Sequence, residues 1–287
     1  MSKSIPINPA LKGFSLVELS IVLVILGLLV GGVLSGQSLI RAAEMRAASS
    51  EVSRYITAVQ TFRDKYMAIP GDMVNAHQFW GARDGGNGYG ADCRVETNAT
   101  GTCSGNGNGL IIMYDGVDPD ASSYTFENYL AWDHLAKAGL IEGTYTGNGA
   151  NVGGNTICVN ASAGSIPGCN VPRSKMASNG MWNFAYYGTL TSHPYLFDGT
   201  YGHALMLNTG PGWINPLGGL LTPAEVWNID TKVDDGRPAT GNVVVSRWNQ
   251  CTNGAVSTAD PGPNEYLLNP PSWAAGTRCV PIVRNLF

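Results

Sequence analysis

The residue most out of place chemically is Glu18, the single charge in the apolar run FSLVELSIVLVILGLLVGGVLS (14–35). A carboxylate inside a membrane helix costs about 2.5 to 3.5 kcal/mol on insertion scales, so something must compensate it. Two compensations are open: snorkelling to the nearby interface, or a partner charge brought by another subunit. The second reactive set is the cysteines, Cys93, Cys103, Cys158, Cys169, Cys251 and Cys279, all beyond residue 90 and none in CxxC or Cys/His spacing. An even number bracketing Gly-, Asn- and Pro-rich sequence reads as structural disulfides in an oxidising compartment rather than zinc or a redox dithiol. Six cysteines allow about fifteen pairings; the expectation is neighbour pairing, 93 with 103, 158 with 169 and 251 with 279. A third set, Asp230, Asp234 and Asp235, could offer oxygens to a calcium ion or simply cap and solvate a helix end. Acids at a helix C-terminus oppose its dipole, which favours a cation there. His77, His134, His193 and His203 are scattered, with no HExxH, GxSxG or phosphate-binding glycine loop, so each reads as a core or surface histidine. No cofactor is required and no catalytic residue emerges; the chain is not expected to be an enzyme.

These residues need elements to position them. Residues 1–13, MSKSIPINPALKG, carry Lys3 and Lys12 and have prolines at 6 and 9, which forbid a continuous helix; they read as a leader. Residues 14–35 would rise about 33 Å as a helix, enough to cross a bilayer once. The run is too long for an ordinary secretory h-region and starts directly after Gly13, so a cut should precede it. Lysines on the leader side hold that end in the cytoplasm and put the rest outside, in agreement with the cysteines. Residues 36–69 continue the helix outside the membrane: 37–66 contain no proline or glycine, and Val52, Tyr55, Ile56, Val59, Phe62 and Tyr66 form one apolar stripe. Glu51, Arg54, Arg63 and Lys65 fall on the opposite face by this reading. A continuous helix from Phe14 to Tyr66 would be about 80 Å long, ended by Ile69-Pro70-Gly71. Gly27 with Gly31, and Gly32 with Gly36, sit four apart and would either let neighbouring helices approach closely or weaken the helix.

Lys12-Gly13-Phe14-Ser15-Leu16-Val17-Glu18-Leu19 resembles the prepilin processing motif of type IV pilins and type II secretion pseudopilins. The resemblance implies that a membrane prepilin peptidase cuts after Gly13, that the new N-terminal Phe14 is N-methylated, and that Glu18 supports assembly. An amine on Phe14 would be cationic near neutral pH, and a neighbouring subunit's Glu18 could pair with it in the apolar filament core, favouring one axial register. The implied partners are identical or related pilin subunits, the peptidase and inner-membrane assembly machinery. The implied location is the inner membrane, single-pass with the head outside the cytoplasm, and then an extracytoplasmic filament. Many type IV pilins carry a proline in the helix; this chain has none between Pro9 and Pro70.

Residues 70–287 read as one globular head, with all seven tryptophans. The stretch 84–109 is a long loop, pinned by Cys93 and Cys103. A helix is expected over 124–140, with Phe126, Tyr129, Leu130 and Leu135 inward and Gly139 as its break. Strands are expected at 181–190, 201–208, 242–248 and 279–284, forming an antiparallel sheet. Thr222-Pro223-Ala224-Glu225 is a capping box that starts a short helix with Val226, Ile229 and Val233 on one face. The segments IPGDM (69–73), AWDHLAKAGLIEG (131–143) and IDTKVDDGRP (229–238) are similar to recurring segments of pilin-like heads. The fold class is therefore α+β and pilin-like: a long N-terminal α-helix, membrane-spanning in its first half, packed on a head with an antiparallel β-sheet and disulfide-pinned loops. A net charge of -4 with only 13% charged residues argues against nucleic acid, which needs a basic stripe. Exposed aromatics on head loops would instead suit a minor pilin or tip adhesin; a membrane-anchored enzyme would need a convergent polar site.

Overall fold

The computed structural model describes residues 15–83, 101–112, 127–147, 165–176, 179–191, 193, 195–209, 218–246, 251–253, 265–269, 276 and 279–287. The chain forms two compact units, Met1–Arg46 and Ala47–Phe287, and helix α1 (Leu16–Tyr66) contributes to both.

In the first unit the side chains of α1 face outward: Leu16 is 86% exposed, and Ile21, Leu23, Ile25, Leu28 and Leu34 are all more than half exposed. This is the one helix among the described residues long and apolar enough to cross a membrane, with a window of mean hydropathy 2.6 of which none is buried. Hydrocarbon is the natural solvent for such a surface. Among the described residues, no atom outside the helix backbone lies within 4 Å of where a Cβ would stand at Gly27, Gly31, Gly32 or Gly36.

In the second unit α1 becomes a core helix. Ala48, Tyr55, Ala58, Val59 and Phe62 are buried, and Val52, Ile56 and Tyr66 are half-buried, so the expected stripe packs inward. Glu51 corrects the expectation for the opposite face: it is buried at 4% exposure, because the head supplies donors to its carboxylate. The helix ends at Tyr66, where Met67 turns to φ 53°. After Pro70 the chain passes so close to a second helix that a Cβ on Gly71 (φ 93°) would collide with the Glu127 carbonyl, which explains the glycine. A short helix not anticipated from the sequence, α2 (Ala76–Trp80), follows; its Phe79 and Trp80 meet Tyr66 edge-on, each at a centroid distance of 5.4 Å.

Helix α3 (Glu127–Lys137) lies within the expected 124–140 and ends through Gly139 (φ 73°), with the Leu140 N–H returning to Leu135 O at 3.0 Å. Tyr129, Leu130 and Leu135 are buried; Phe126 lies outside the described residues. Strands β1 (Met181–Leu190), β2 (Gly199–Asn208), β3 (Val243–Val245) and β4 (Pro281–Val283) form one antiparallel sheet in the order β1-β2-β4-β3. The sheet is buried on both faces. On one, Trp182 and Phe184 meet Tyr55 of α1 and Trp132 of α3 edge-on or tilted, at centroid distances of 6.0 and 6.1 Å. On the other, Tyr201, Ala204, Met206, Val244 and Ile282 pack with Leu196 and Val280.

Helix α4 (Pro223–Val233) starts at the expected capping box: Glu225 N–H donates to Thr222 Oγ1 and Thr222 N–H to Glu225 Oε2. Its inward face differs from the expected Val226, Ile229 and Val233. Pro223, Val226 and Asp230 are the buried residues, while Val233 is 65% exposed. The Cys251–Cys279 disulfide is formed, and closes a separation of 28 residues beside β4. Cys103 and Cys169 are also disulfide-bonded, to partners outside the described residues, where Cys93 and Cys158 lie. The coarse architecture is thus a long apolar N-terminal helix with an α+β head around an antiparallel four-stranded sheet.

Candidate functional site

Gly13 and Phe14 lie outside the described residues; the described chain begins at Ser15, where the helix start is built by two side chains. Ser15 N–H donates to Glu18 Oε2 at 2.8 Å, and Val17 N–H donates to Ser15 Oγ at 3.3 Å. Ser15 Oγ and the Glu18 carboxylate thus answer two N–H groups at the start of the helix, and Glu18 sits at the positive end of the helix dipole. The S-x-x-E spacing before an apolar run is the sequence signal for this arrangement. Part of the cost of Glu18 is offset within its own chain.

The head buries several carboxylates; Asp133 pairs with Lys137 at 3.1 Å, whereas Glu51, Asp72 and Glu127 accept from neutral donors. Glu51 on α1 accepts from Trp182 Nε1 at 2.9 Å, Ser174 Oγ at 3.2 Å and the Lys175 N–H at 3.3 Å. Asp72 accepts from the N–H groups of Gly107 (2.6 Å), Asn108 (3.1 Å) and Gly109 (2.8 Å), and desolvation holds its pKa above the ordinary value despite these bonds. Glu127, at the start of α3, accepts from the N–H groups of Asn106 and Ile112, both at 3.1 Å. Two carboxylates therefore hold the Gly/Asn loop 104–112 by its backbone. Nothing local in the sequence announces these contacts, since the partners lie 15 to 37 positions apart.

The four histidines are spread through the head. His134 is buried; its Nδ1 accepts from Gly71 N–H at 2.9 Å, so Nε2–H donates to Cys103 O at 2.8 Å, and burial lowers its pKa. His203 Nε2 accepts from Ile111 N–H at 3.3 Å while its ring stacks on Phe287 at 4.5 Å. Burial first, and Arg63 second, push its pKa down to about 4. His77 bonds Ser104 Oγ at 2.8 Å and His193 accepts from Tyr195 N–H at 3.2 Å.

The structure does bring Asp230, Asp234 and Asp235 together: one ligand oxygen from each lies within 4.8 Å of the others. Asp230 is fully buried, with Oδ2 accepting from Tyr266 OH at 2.8 Å and Oδ1 left without a hydrogen-bond partner. Desolvation pushes its pKa up to about 6. The other two carboxylates are engaged by the turn that follows α4. Asp234 Oδ2 accepts from the N–H groups of Asn242 and Val243, and Asp235 accepts from Arg237 N–H at 2.8 Å and from Thr240 Oγ1. The donor set is all oxygen and suits a hard cation such as calcium, with Asp230 Oδ1 the oxygen most in need of a partner. Comparison of the chain with known protein families, with curated proteins and with solved structures finds no match.

Proposed function

We propose that this chain is a structural subunit of a type IV pilus-like or type II secretion pseudopilus filament, processed by prepilin peptidase and assembled through its N-terminal helix. The observation that carries the reading is the division of α1. Its first half exposes an unbroken apolar surface with one carboxylate, Glu18, at its start. Its second half is buried as the core helix of the head. An anchor alone would need only the apolar stretch; a carboxylate at its start, directly after the Gly13-Phe14 junction, is what assembly in register would use. The open surface at Gly27, Gly31, Gly32 and Gly36 supports close approach by helices of other subunits. The subunit would sit in the inner membrane with its head outside the cytoplasm before entering the filament, and its partners would be related subunits and the assembly machinery. Pilin, pseudopilin and minor-pilin roles all fall within this class, and a tip-adhesin role for the loop-rich head is the second reading.

The role of Glu18 is tested by co-expressing wild type and Glu18→Ala with a prepilin peptidase and an assembly system. The variant should still be cut before Phe14 while its yield in the sheared filament fraction falls by at least about tenfold, as expected for a charge left unpaired in an apolar core. Unchanged yield would remove Glu18 from the assembly mechanism.

A further inference from the structure

The exposed tip of the loop held by Asp72 consists of two consecutive Asn-Gly pairs, Asn106-Gly107 and Asn108-Gly109. Asn-Gly is the dipeptide most prone to spontaneous deamidation, because glycine places no side chain in the way. The nitrogen of the glycine attacks Cγ of the preceding asparagine, a new N–Cγ bond forms, and the Cγ–NH₂ bond breaks with release of ammonia. Water then opens the succinimide to aspartate or isoaspartate. The rate depends on how readily the glycine N–H gives up its proton and on whether the asparagine side chain can swing over that nitrogen. Thermolabile asparagines of this kind are a recognised liability of durable proteins.

Both requirements are opposed here by the same residue and the same turn. Gly107 N–H donates to Asp72 Oδ1 at 2.6 Å and Gly109 N–H to Asp72 Oδ2 at 2.8 Å, so one carboxylate covers both attacking nitrogens. An anionic acceptor at hydrogen-bond distance occupies that N–H and disfavours the negative charge that its deprotonation would create beside it. The asparagine side chains are fixed as well: Asn106 Oδ1 accepts from Asn108 N–H at 2.9 Å, and Asn108 Oδ1 accepts from Leu110 N–H at 2.8 Å, two Asx turns in series. Both glycines occupy the left-handed region, φ 77° and 83°, where a bulkier, less reactive residue would be strained. The turn therefore needs the vulnerable dipeptide twice.

We propose that Asp72 guards a tandem deamidation site: its carboxylate holds the Gly107 and Gly109 nitrogens protonated and turned away from Asn106 and Asn108, so that the exposed loop keeps its charge and register over the life of the protein. Loss of the guard would place new carboxylates, or an isoaspartyl kink, directly against Asp72. The inference does not depend on the filament reading.

The test follows deamidation of the full-length chain in detergent during incubation in mildly alkaline buffer, site by site, by peptide mass spectrometry with separation of the isoaspartyl forms. Asn179-Gly180 and Asn253-Gly254 of the same chain serve as internal references. Relative to those references, Asn106 and Asn108 should deamidate at least about tenfold more slowly in the folded chain than in the reduced, denatured chain, the scale of one or two charge-assisted hydrogen bonds. Asp72→Asn, which keeps the shape but not the charge, should accelerate both sites selectively. Glu127→Gln, which loosens the same loop at Asn106 and Ile112 without uncovering either glycine nitrogen, should leave them within about twofold of wild type, well below the effect of a lost charged acceptor. Equal rates in folded and denatured wild type, no response to Asp72→Asn, or an equal acceleration at all four sites would overturn the proposal.

Discussion

Glu51 shows at the scale of a single residue how the head is fastened to its helix. Its carboxylate is the common acceptor for an indole, a hydroxyl and a backbone N–H from residues 174–182. Glu51→Ala would leave the Trp182 indole and Ser174 hydroxyl buried without this acceptor, and should cost about 3 kcal/mol of head stability in urea unfolding; a loss below about 1 kcal/mol, the size of an ordinary surface change, would show the contacts to be incidental. The sequence put this residue on the solvent face because helical periodicity sorts by polarity, and the donors that reward its burial lie more than a hundred positions away. His203 gives a residue-scale prediction in pH. With its pKa depressed to about 4 against an unfolded value near 6.5, the folded state binds the proton less well. Its stabilising contribution is therefore complete above about pH 6.5 and lost as pH falls from there toward 4. His203→Gln keeps an acceptor for Ile111 N–H but cannot titrate, so it should remove about 2 kcal/mol of the acid-side slope. Identical slopes for the two proteins would contradict the assignment of His203 as a neutral acceptor.

Among the elements, those specified by local rules were legible and those specified by distant partners were not. Strand β1 occupies the expected 181–190 and α4 starts at the expected capping box, because alternation and capping are written within a few residues. Strands β3 and β4 are shorter than expected, three residues each, since their ladders extend only as far as each partner does. Helix α4 turns Asp230 rather than Val233 inward, because Tyr266, from the segment closed by the Cys251–Cys279 bond, offers its hydroxyl to that carboxylate. Periodicity alone could not foresee a buried acid. The same end of α4 carries a metal prediction: with Asp230 Oδ1 lacking a partner, added calcium should raise the unfolding temperature of the full-length chain relative to chelator, and Asp230→Asn should abolish the shift. If calcium leaves wild type unmoved, the three aspartates serve only as caps of the α4 turn.

For the whole molecule, the two units answer to different solvents. The head buries its sheet and closes the Cys251–Cys279 disulfide; the apolar part of α1 is unburied among the described residues and suits lipid or other helices. The apolar run and the single charge within it were readable directly from the sequence. The local answer to that charge lies in the same motif: Ser15 N–H donates to Glu18 Oε2, a contact that hydropathy alone does not reveal. The filament account joins these features by a single chemical event, removal of residues 1–13 to free the amine of Phe14. The most direct measurement is therefore the N-terminal residue of the membrane-inserted chain, determined by mass spectrometry after co-expression with and without a prepilin peptidase. The account predicts an N-methylated Phe14 only when the peptidase is present, and recovery of that form in sheared filaments. A terminus at any other residue, or a chain that keeps residues 1–13 in the presence of the peptidase, would contradict it.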